Sequence, residues 1–158
     1  MDTYLWLKTL HILGAILFLG NIIVTGWWKV MADRTREPRI VAFAQRQVIV
    51  TDYVFTLGGV LLVLGTGLVN AHWHGLSYAD NPWLAWGTGL FVASGVIWVL
   101  ILVPLQARLS RLSRSFAATA SVPADYWRLC RSWNFWGVMA TVLPLAAVYL
   151  MVFKGAAW

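Results

Sequence analysis

The sequence predicts an all-α integral membrane protein, a four-helix up-and-down bundle with both termini on the outer side of the membrane. Of its 158 residues, 60% are hydrophobic and 11% are charged, whereas a soluble domain carries about 25% charged residues. Four apolar stretches reach the roughly 20 residues that a helix needs to cross the hydrocarbon core. Ten of the twelve basic residues lie in alternate loops, which predicts the orientation.

The chain is interpreted as a single transmembrane domain, 1–158, and its predicted spans are residues 4–28, 48–71, 83–105 and 132–153. The first span lacks the basic start and the small-residue cleavage site of a secretory signal peptide, so we expect it to be retained as a helix. Pro38 is predicted to begin the helix that continues into the second span, because a first-turn residue needs no amide donor. Ser121 and Pro123 are expected to start the fourth span early in the same way.

The third span is predicted to continue beyond Pro104 as an amphipathic helix. Its apolar side chains recur at helical spacing, opposite a row of arginines. This face consists of Leu105, Leu109, Leu112 and Phe116. Such a pattern is typical of a helix that lies at the lipid headgroups.

The distribution of basic residues predicts the topology. The loop between the second and third spans, WHGLSYADNP, contains no Lys or Arg. The other two connections contain Lys29, Arg34, Arg36, Arg39 and Arg46, and then Arg108, Arg111, Arg114, Arg128 and Arg131. Because basic loops stay in the cytoplasm, we expect a multi-pass protein of the bacterial inner (cytoplasmic) membrane with both basic loops inside. The net charge of +6 is therefore a topology signal, and nucleic-acid binding is not expected.

The three histidines are candidate ligands because they are predicted to converge at the outer membrane face. His11 lies in the first span, and His72 and His74 lie in NAHWHG at the end of the second. Neutral imidazole binds iron, copper or zinc. His72 is interpreted as the inward residue, since residues two apart on a helix point away from each other; His74 joins the ligands only if the backbone is extended there. The alternatives are a buried, hydrogen-bonded His11 and two simple loop histidines.

Small residues near the histidines leave room for a flat porphyrin. Gly14 shares a helix face with His11, and Gly65 shares one with His72, because each pair has helical spacing. Lys8 lies three residues before His11 and is a candidate partner for a haem propionate. The alternative interpretation is that the glycines pack helices together, as small residues do in membrane bundles, and that Lys8 anchors the helix at the surface.

Three other side chains stand out: two in the predicted spans, and one in the basic stretch before the fourth. Asp52 is expected to pair with a loop arginine, with a role in proton entry as the alternative. Trp98 lies in the middle of the third span, outside both aromatic belts, and is expected to pack beside a cofactor or to fill the core. Cys130 is the only cysteine, which excludes an intramolecular disulfide, and we interpret it as a structural thiol.

Two segments, YLWLKTLHILGAILFLGNIIVTGWWK and WVLILVPLQARL, resemble a bacterial family of predicted integral membrane proteins with no assigned function. That family in turn resembles the CopD-like and HemJ-like membrane proteins, whose first helix carries a histidine where this chain has His11. The HemJ-like resemblance implies haem b with His11 as a ligand and protoporphyrinogen oxidase chemistry. The CopD-like resemblance implies copper handling at the outer face.

The sequence therefore predicts a haem b-binding membrane protein for one-electron transfer or oxidase-type chemistry near the outer face. Copper is the second candidate cofactor, and whether the protein is an enzyme is left open. The expected partners are the lipid bilayer and a quinol or a larger membrane redox complex, and an oligomer is also open. The alternative is a non-catalytic accessory or assembly subunit of a larger membrane complex.

The haem hypothesis predicts the absorbance spectrum of the detergent-purified protein. With haem supplied during expression, a Soret band and sharp reduced α and β bands are expected, because imidazole-ligated haem gives them. His11→Ala and His72→Ala are expected to lose these bands, and His74→Ala to keep them. A colourless wild-type protein, or bands that survive both substitutions, would contradict the hypothesis.

Overall fold

The computed structural model describes residues 3–116 and 121–154, which form helices and their short connections. In chain order these are α1 (Thr3–Thr35), α2 (Pro38–Thr51), a π-helical segment (Asp52–Thr56), α3 (Leu57–Trp73), α4 (Pro82–Ile97), a second π-helical segment (Trp98–Leu102), α5 (Val103–Phe116) and α6 (Ala124–Phe153). No β-strand occurs in these residues.

The helices join into four long rods. The first π-helical segment connects α2 to α3 in one helix, Pro38–Trp73, and the second connects α4 to α5 in another, Pro82–Phe116. The four rods are 30 to 36 residues long and apolar enough to cross a membrane. Each contains one predicted span, so the predicted all-α bundle of four membrane helices is confirmed. At 1.5 Å per residue the rods exceed the roughly 30 Å hydrocarbon core, and the excess lies at the end that carries the arginines, called the basic end below.

Proline begins two of the rods, as predicted. Pro38 lies in the first turn of α2 behind the extended residue Glu37. Pro123 is the extended N-cap residue of α6, which begins at Ala124. Proline suits these positions because its missing amide hydrogen has no partner in the first turn of a helix.

The best-buried apolar core lies at the basic end. It consists of Val41, Val48, Leu102, Leu109, Phe116, Tyr126, Cys130, Trp133 and Ala140. Leu109 and Phe116 on α5 are 0% and 2% exposed. The expectation that their face lies on lipid headgroups is therefore wrong. Beyond the hydrocarbon, apolar faces are driven together by water, so this face of α5 packs against α2 and α6.

The rods associate as two pairs. α1 packs along α3, and α4 packs along α6, while α2–α5 and α1–α6 contacts join the pairs. Among the described residues, α3 has no close backbone contact with α4 or α6. The ring centroids of Phe18 and Phe91 lie 5.5 Å apart and bridge the two pairs. The pairs are therefore packed together at the basic end and separated by a cleft in the membrane region.

Gly14 and Gly59 allow α1 and α3 to approach closely. A Cβ atom on Gly59 would lie 2.7 Å from the carbonyl oxygen of Gly14 and 2.8 Å from the Cβ of Phe18. Gly65 lies on the exposed side of the same helix, and a Cβ atom there would have no heavy atom within 4 Å. Gly59 is thus a packing residue in the way that small residues generally are in membrane bundles.

Gly59→Ala is expected to destabilise the bundle by about 1–3 kcal/mol, the usual cost of overpacking. Gly65→Ala is the matched control on the same helix; it is expected to be neutral or to stabilise by up to about 1 kcal/mol through helix propensity. Titration of the protein in dodecyl maltoside with sodium dodecyl sulfate, followed by circular dichroism, measures both. Equal stability of the two variants would show that the α1–α3 interface accommodates a Cβ atom at Gly59 without cost.

Candidate functional site

A cleft of about 910 Å³ separates the two helix pairs. Phe18 and Phe91 line it in the middle of the bundle, and Val30, Trp133 and Asn134 line it toward the basic end. Most of the remaining wall is aliphatic. An apolar molecule in the membrane thus has room between the pairs.

Both π-helical segments face this cleft. Asp52 and Thr56 from the first segment and Trp98 from the second belong to its lining. A π-helical turn inserts a residue into the helical repeat and is frequent at functional sites. Pro104 accounts for the second segment, since it lacks the amide hydrogen that would bond to the carbonyl group of Leu100.

Asp52 is the centre of a polar network on the cleft wall and is 7% exposed. Gln106 Nε2 donates to its Oδ2 atom at 2.6 Å, and Thr56 Oγ1 donates to its Oδ1 atom at 3.0 Å. Asn21 Nδ2 donates to the same Oδ1 atom at 3.2 Å. The expected ion pair with a loop arginine is therefore not formed, and neutral donors from α1 and α5 take its place. The proposed role in proton entry stays a prediction.

Two buried polar atoms of the cleft residues, Trp133 Nε1 and Asn134 Oδ1, have no hydrogen-bond partner within the described part of the chain. The indole of Trp98 interacts with the carboxylate of Asp52. Nearly all buried polar groups in native proteins are paired, and an unpaired one costs about 1–3 kcal/mol. One donor and one acceptor on residues that line an apolar cleft therefore favour a ligand that carries polar atoms. Trp98, expected beside a cofactor or in the core, lies at this wall.

A buried ionic cluster joins α1 to α6 at the basic end. Lys29 is 0% exposed, and its Nζ atom lies 2.6 Å from Asp33 Oδ2. Tyr126 Oη donates to Asp33 Oδ1 at 3.1 Å, and Cys130 Sγ donates to Asp33 Oδ2 at 3.0 Å. Lys29 Nζ also lies 5.1 Å from the ring centroid of Trp133, a cation–π distance.

Sequence reasoning missed this cluster because it counted Lys29 among the loop charges. The spacing of Lys29 and Asp33 by four residues is the signal that could have found it, since such residues are neighbours on a helix. Cys130, expected to be structural, is buried and donates a hydrogen bond to Asp33.

His11 lies in the interface between α1 and α3. Its Nδ1 atom is 3.0 Å from Thr66 Oγ1. The ring packs over Gly67, where a Cβ atom would lie 3.1 Å from His11 Cε1. This is the arrangement of the alternative interpretation, a half-buried histidine that hydrogen-bonds between helices.

The structure turns the predicted ligand face of α3 outward. His72 and Gly65 are exposed, and Gly59 and Thr66 occupy the inward face instead. His74 is also exposed; its Nδ1 atom is 2.9 Å from the carbonyl oxygen of Asn70.

The outer end carries an aromatic contact rather than a cluster of ligands. The ring of His74 lies 4.9 Å from that of Tyr4, and Lys8 Nζ lies 5.8 Å from the Tyr4 ring centroid. Within residues 3–116 and 121–154, no group of three or more His, Cys, Asp or Glu side chains could hold a metal ion. The ligand roles of His11, His72 and His74 stay predictions.

Four long apolar helices define the class of this protein, an α-helical integral membrane protein. A family model described as "Predicted integral membrane protein (DUF2269)" matches residues 5–155, and the chain therefore belongs to that family. The predicted family membership is confirmed, whereas the more distant resemblance to CopD-like and HemJ-like proteins stays a prediction. No curated protein and no solved structure matches the chain.

Asp33→Asn is expected to destabilise the protein by about 3–5 kcal/mol, because it leaves the charge of Lys29 buried without a counter-ion. Asp125→Asn is the matched control. It breaks the Arg128–Asp125 pair, whose side chains are 78% and 75% exposed, and such surface pairs contribute less than about 1 kcal/mol. Unfolding in mixed micelles measures the stability of both variants. A similar, small loss of stability in the two would contradict a structural role of the buried pair.

Proposed function

We propose that this membrane protein binds a lipid-soluble amphiphile in the cleft between its two helix pairs. The observation that carries this proposal is the combination of an apolar cleft with buried, unpartnered polar atoms on its wall. The apolar chain of the ligand lies along the aliphatic surfaces, and its polar atoms meet the indole and amide groups.

The dimensions of the cleft support a small-molecule site. A volume of about 910 Å³ falls within the roughly 300–1,000 Å³ of ligand-binding cavities. Such cavities are lined mainly by apolar side chains, and a few polar groups fix the orientation of the ligand. Trp133 provides a donor, and Asn134 provides an acceptor.

Asp52 adds a second argument for a specific ligand. An ionisable residue within a membrane span is costly and is usually tied to function. Its three donors come from α1, the first π-helical segment and α5. The network therefore holds the cleft wall in shape across three helical elements, which preorganises a binding site.

The predicted haem chemistry is a separate hypothesis from this one. None of the three histidines belongs to the cleft lining, so the cleft residues do not fit a haem with an imidazole ligand. We therefore derive no redox step there. A quinol, the partner expected for redox chemistry, is itself a lipid-soluble amphiphile. The mass of the bound molecule distinguishes a quinol from other lipid-soluble amphiphiles.

The proposed setting is the bacterial cytoplasmic membrane with the basic end inside. The positive-inside rule supports this orientation, because the loop at the other end lacks Lys and Arg. The accessory-subunit hypothesis is compatible with ligand binding, since the exposed apolar surface of the rods serves lipid or a partner protein equally well.

Filling the cleft is expected to remove the ligand. Gly95 and Gly137 line the cleft, and Cβ atoms on them would have no heavy atom within 4 Å. Gly95→Phe combined with Gly137→Phe therefore adds bulk to the cleft, and the added Cβ atoms meet no neighbour. Native mass spectrometry of the protein released from detergent is expected to show one retained amphiphile per chain in the wild type and about tenfold less in this variant.

Gly65→Phe combined with Gly89→Phe is the matched control. Both glycines are exposed helical residues with no heavy atom near an added Cβ, and neither lines the cleft. The control is expected to retain the amphiphile. A wild type without a bound molecule, or equal loss in both double variants, would mean that the cleft holds only exchanging bilayer lipid.

A further inference from the structure

A second cavity opens at the basic end of the bundle, with a volume of about 520 Å³. Its lining includes three arginines, Arg34 in the last turn of α1, Arg36 just after this helix and Arg131 on α6, beside Asp33 and Cys130. This cavity is called the basic pocket below. Because guanidinium groups bind phosphate through paired, charge-assisted hydrogen bonds, its composition favours a phosphate group.

The one carboxylate of the basic pocket is already neutralised. Asp33 Oδ2 lies 2.6 Å from Lys29 Nζ and accepts a hydrogen bond from Cys130 Sγ at 3.0 Å. Its Oδ1 atom accepts one from Tyr126. Asp33 therefore does not cancel the arginine charges.

The arginines of the basic pocket are not engaged by other acids. Within the described residues, Arg34, Arg36 and Arg131 have no carboxylate oxygen within 4 Å, and the ion pairs found there are Lys29–Asp33 and Arg128–Asp125. Three cationic groups thus line a cavity without a counter-charge. An anionic ligand supplies this missing counter-charge.

The basic pocket adjoins the cleft. Val30 and Asn134 line both cavities, so the basic pocket lies next to the apolar space between the helix pairs. The excess length of the rods at the basic end puts the basic pocket near the level of the lipid headgroups and the cleft within the hydrocarbon region.

We propose that the cleft and the basic pocket together bind one phosphate-headed amphiphile, with the phosphate between Arg34, Arg36 and Arg131 and the hydrocarbon chain in the cleft. This inference rests on the proposed function and names the ligand class. A terminal phosphate matches three guanidinium groups in charge, and the chain matches the aliphatic wall of the cleft.

Binding of dodecyl phosphate, measured by native mass spectrometry at a series of concentrations, tests this assignment. The triple variant Arg34→Gln, Arg36→Gln, Arg131→Gln is expected to bind about tenfold more weakly or worse, because it removes charge-assisted hydrogen bonds to the phosphate. The matched control Arg108→Gln, Arg111→Gln, Arg114→Gln removes the same charge from the exposed face of α5, outside the basic pocket. It is expected to bind like the wild type.

Inorganic phosphate as a competitor separates the two sources of a phosphate group. Displacement of dodecyl phosphate by inorganic phosphate at equal concentration would assign the basic pocket to the free anion and overturn the amphiphile. Equal weakening by the two triple variants would overturn the basic pocket as a site, because general surface charge would then explain the binding.

The cleft variant separates this inference from the proposed function. If Gly95→Phe with Gly137→Phe loses its retained amphiphile while the arginine triple variant binds dodecyl phosphate normally, the cleft stands as a lipid site and the phosphate assignment falls. In the opposite outcome, the arginine triple variant loses binding of dodecyl phosphate while the Gly95→Phe, Gly137→Phe variant keeps it. The hydrocarbon chain of the ligand then lies outside the cleft, and both proposals about the cleft fail. Loss of binding in both variants, with both controls intact, supports the combined site.

Discussion

The buried ion pair of Lys29 and Asp33 on α1 is the centre of the polar contact that joins α1 to α6 and so helps to join the two helix pairs. Tyr126 and Cys130 on α6 complete its hydrogen bonds. Two buried charges cost more than their mutual attraction returns unless further hydrogen bonds satisfy them. Here the charge of Asp33 is satisfied by Lys29 from its own helix and by Tyr126 and Cys130 from α6, so these hydrogen bonds hold α1 and α6 in a defined arrangement.

The packed basic end and the open cleft follow from the two solvents that surround the rods. Where the helices extend beyond the hydrocarbon, water drives apolar faces together, and Val41, Leu109 and Phe116 are almost completely buried. Inside the membrane, lipid chains are as apolar as the side chains, so no hydrophobic force closes a gap between helices. The α1–α3 and α4–α6 pairs are close-packed within themselves, and the space between them remains available to a ligand.

The polar groups on the cleft wall distinguish it from an ordinary gap between membrane helices. Bulk lipid chains offer no partner to Trp133 Nε1 or Asn134 Oδ1, and they do not require Asp52 with its donors. A head group with phosphate or hydroxyl oxygens does offer partners. The cleft and the basic pocket meet at Val30 and Asn134, which is why one molecule with an apolar and an anionic part is proposed for both.

Composition and local pattern by themselves determined the class, the four membrane helices and the proline starts at Pro38 and Pro123. These features depend on short stretches of chain, since twenty apolar residues or a proline in a first turn act independently of the rest of the fold. Only the tertiary structure decided which faces meet: that Gly59 and Thr66, and not Gly65 and His72, lie inward on α3. Lys29 is likewise a core residue, and Asp52 bonds to Gln106. Helical spacing places residues on one face but does not say which neighbour that face contacts, because this depends on how distant helices pack against one another.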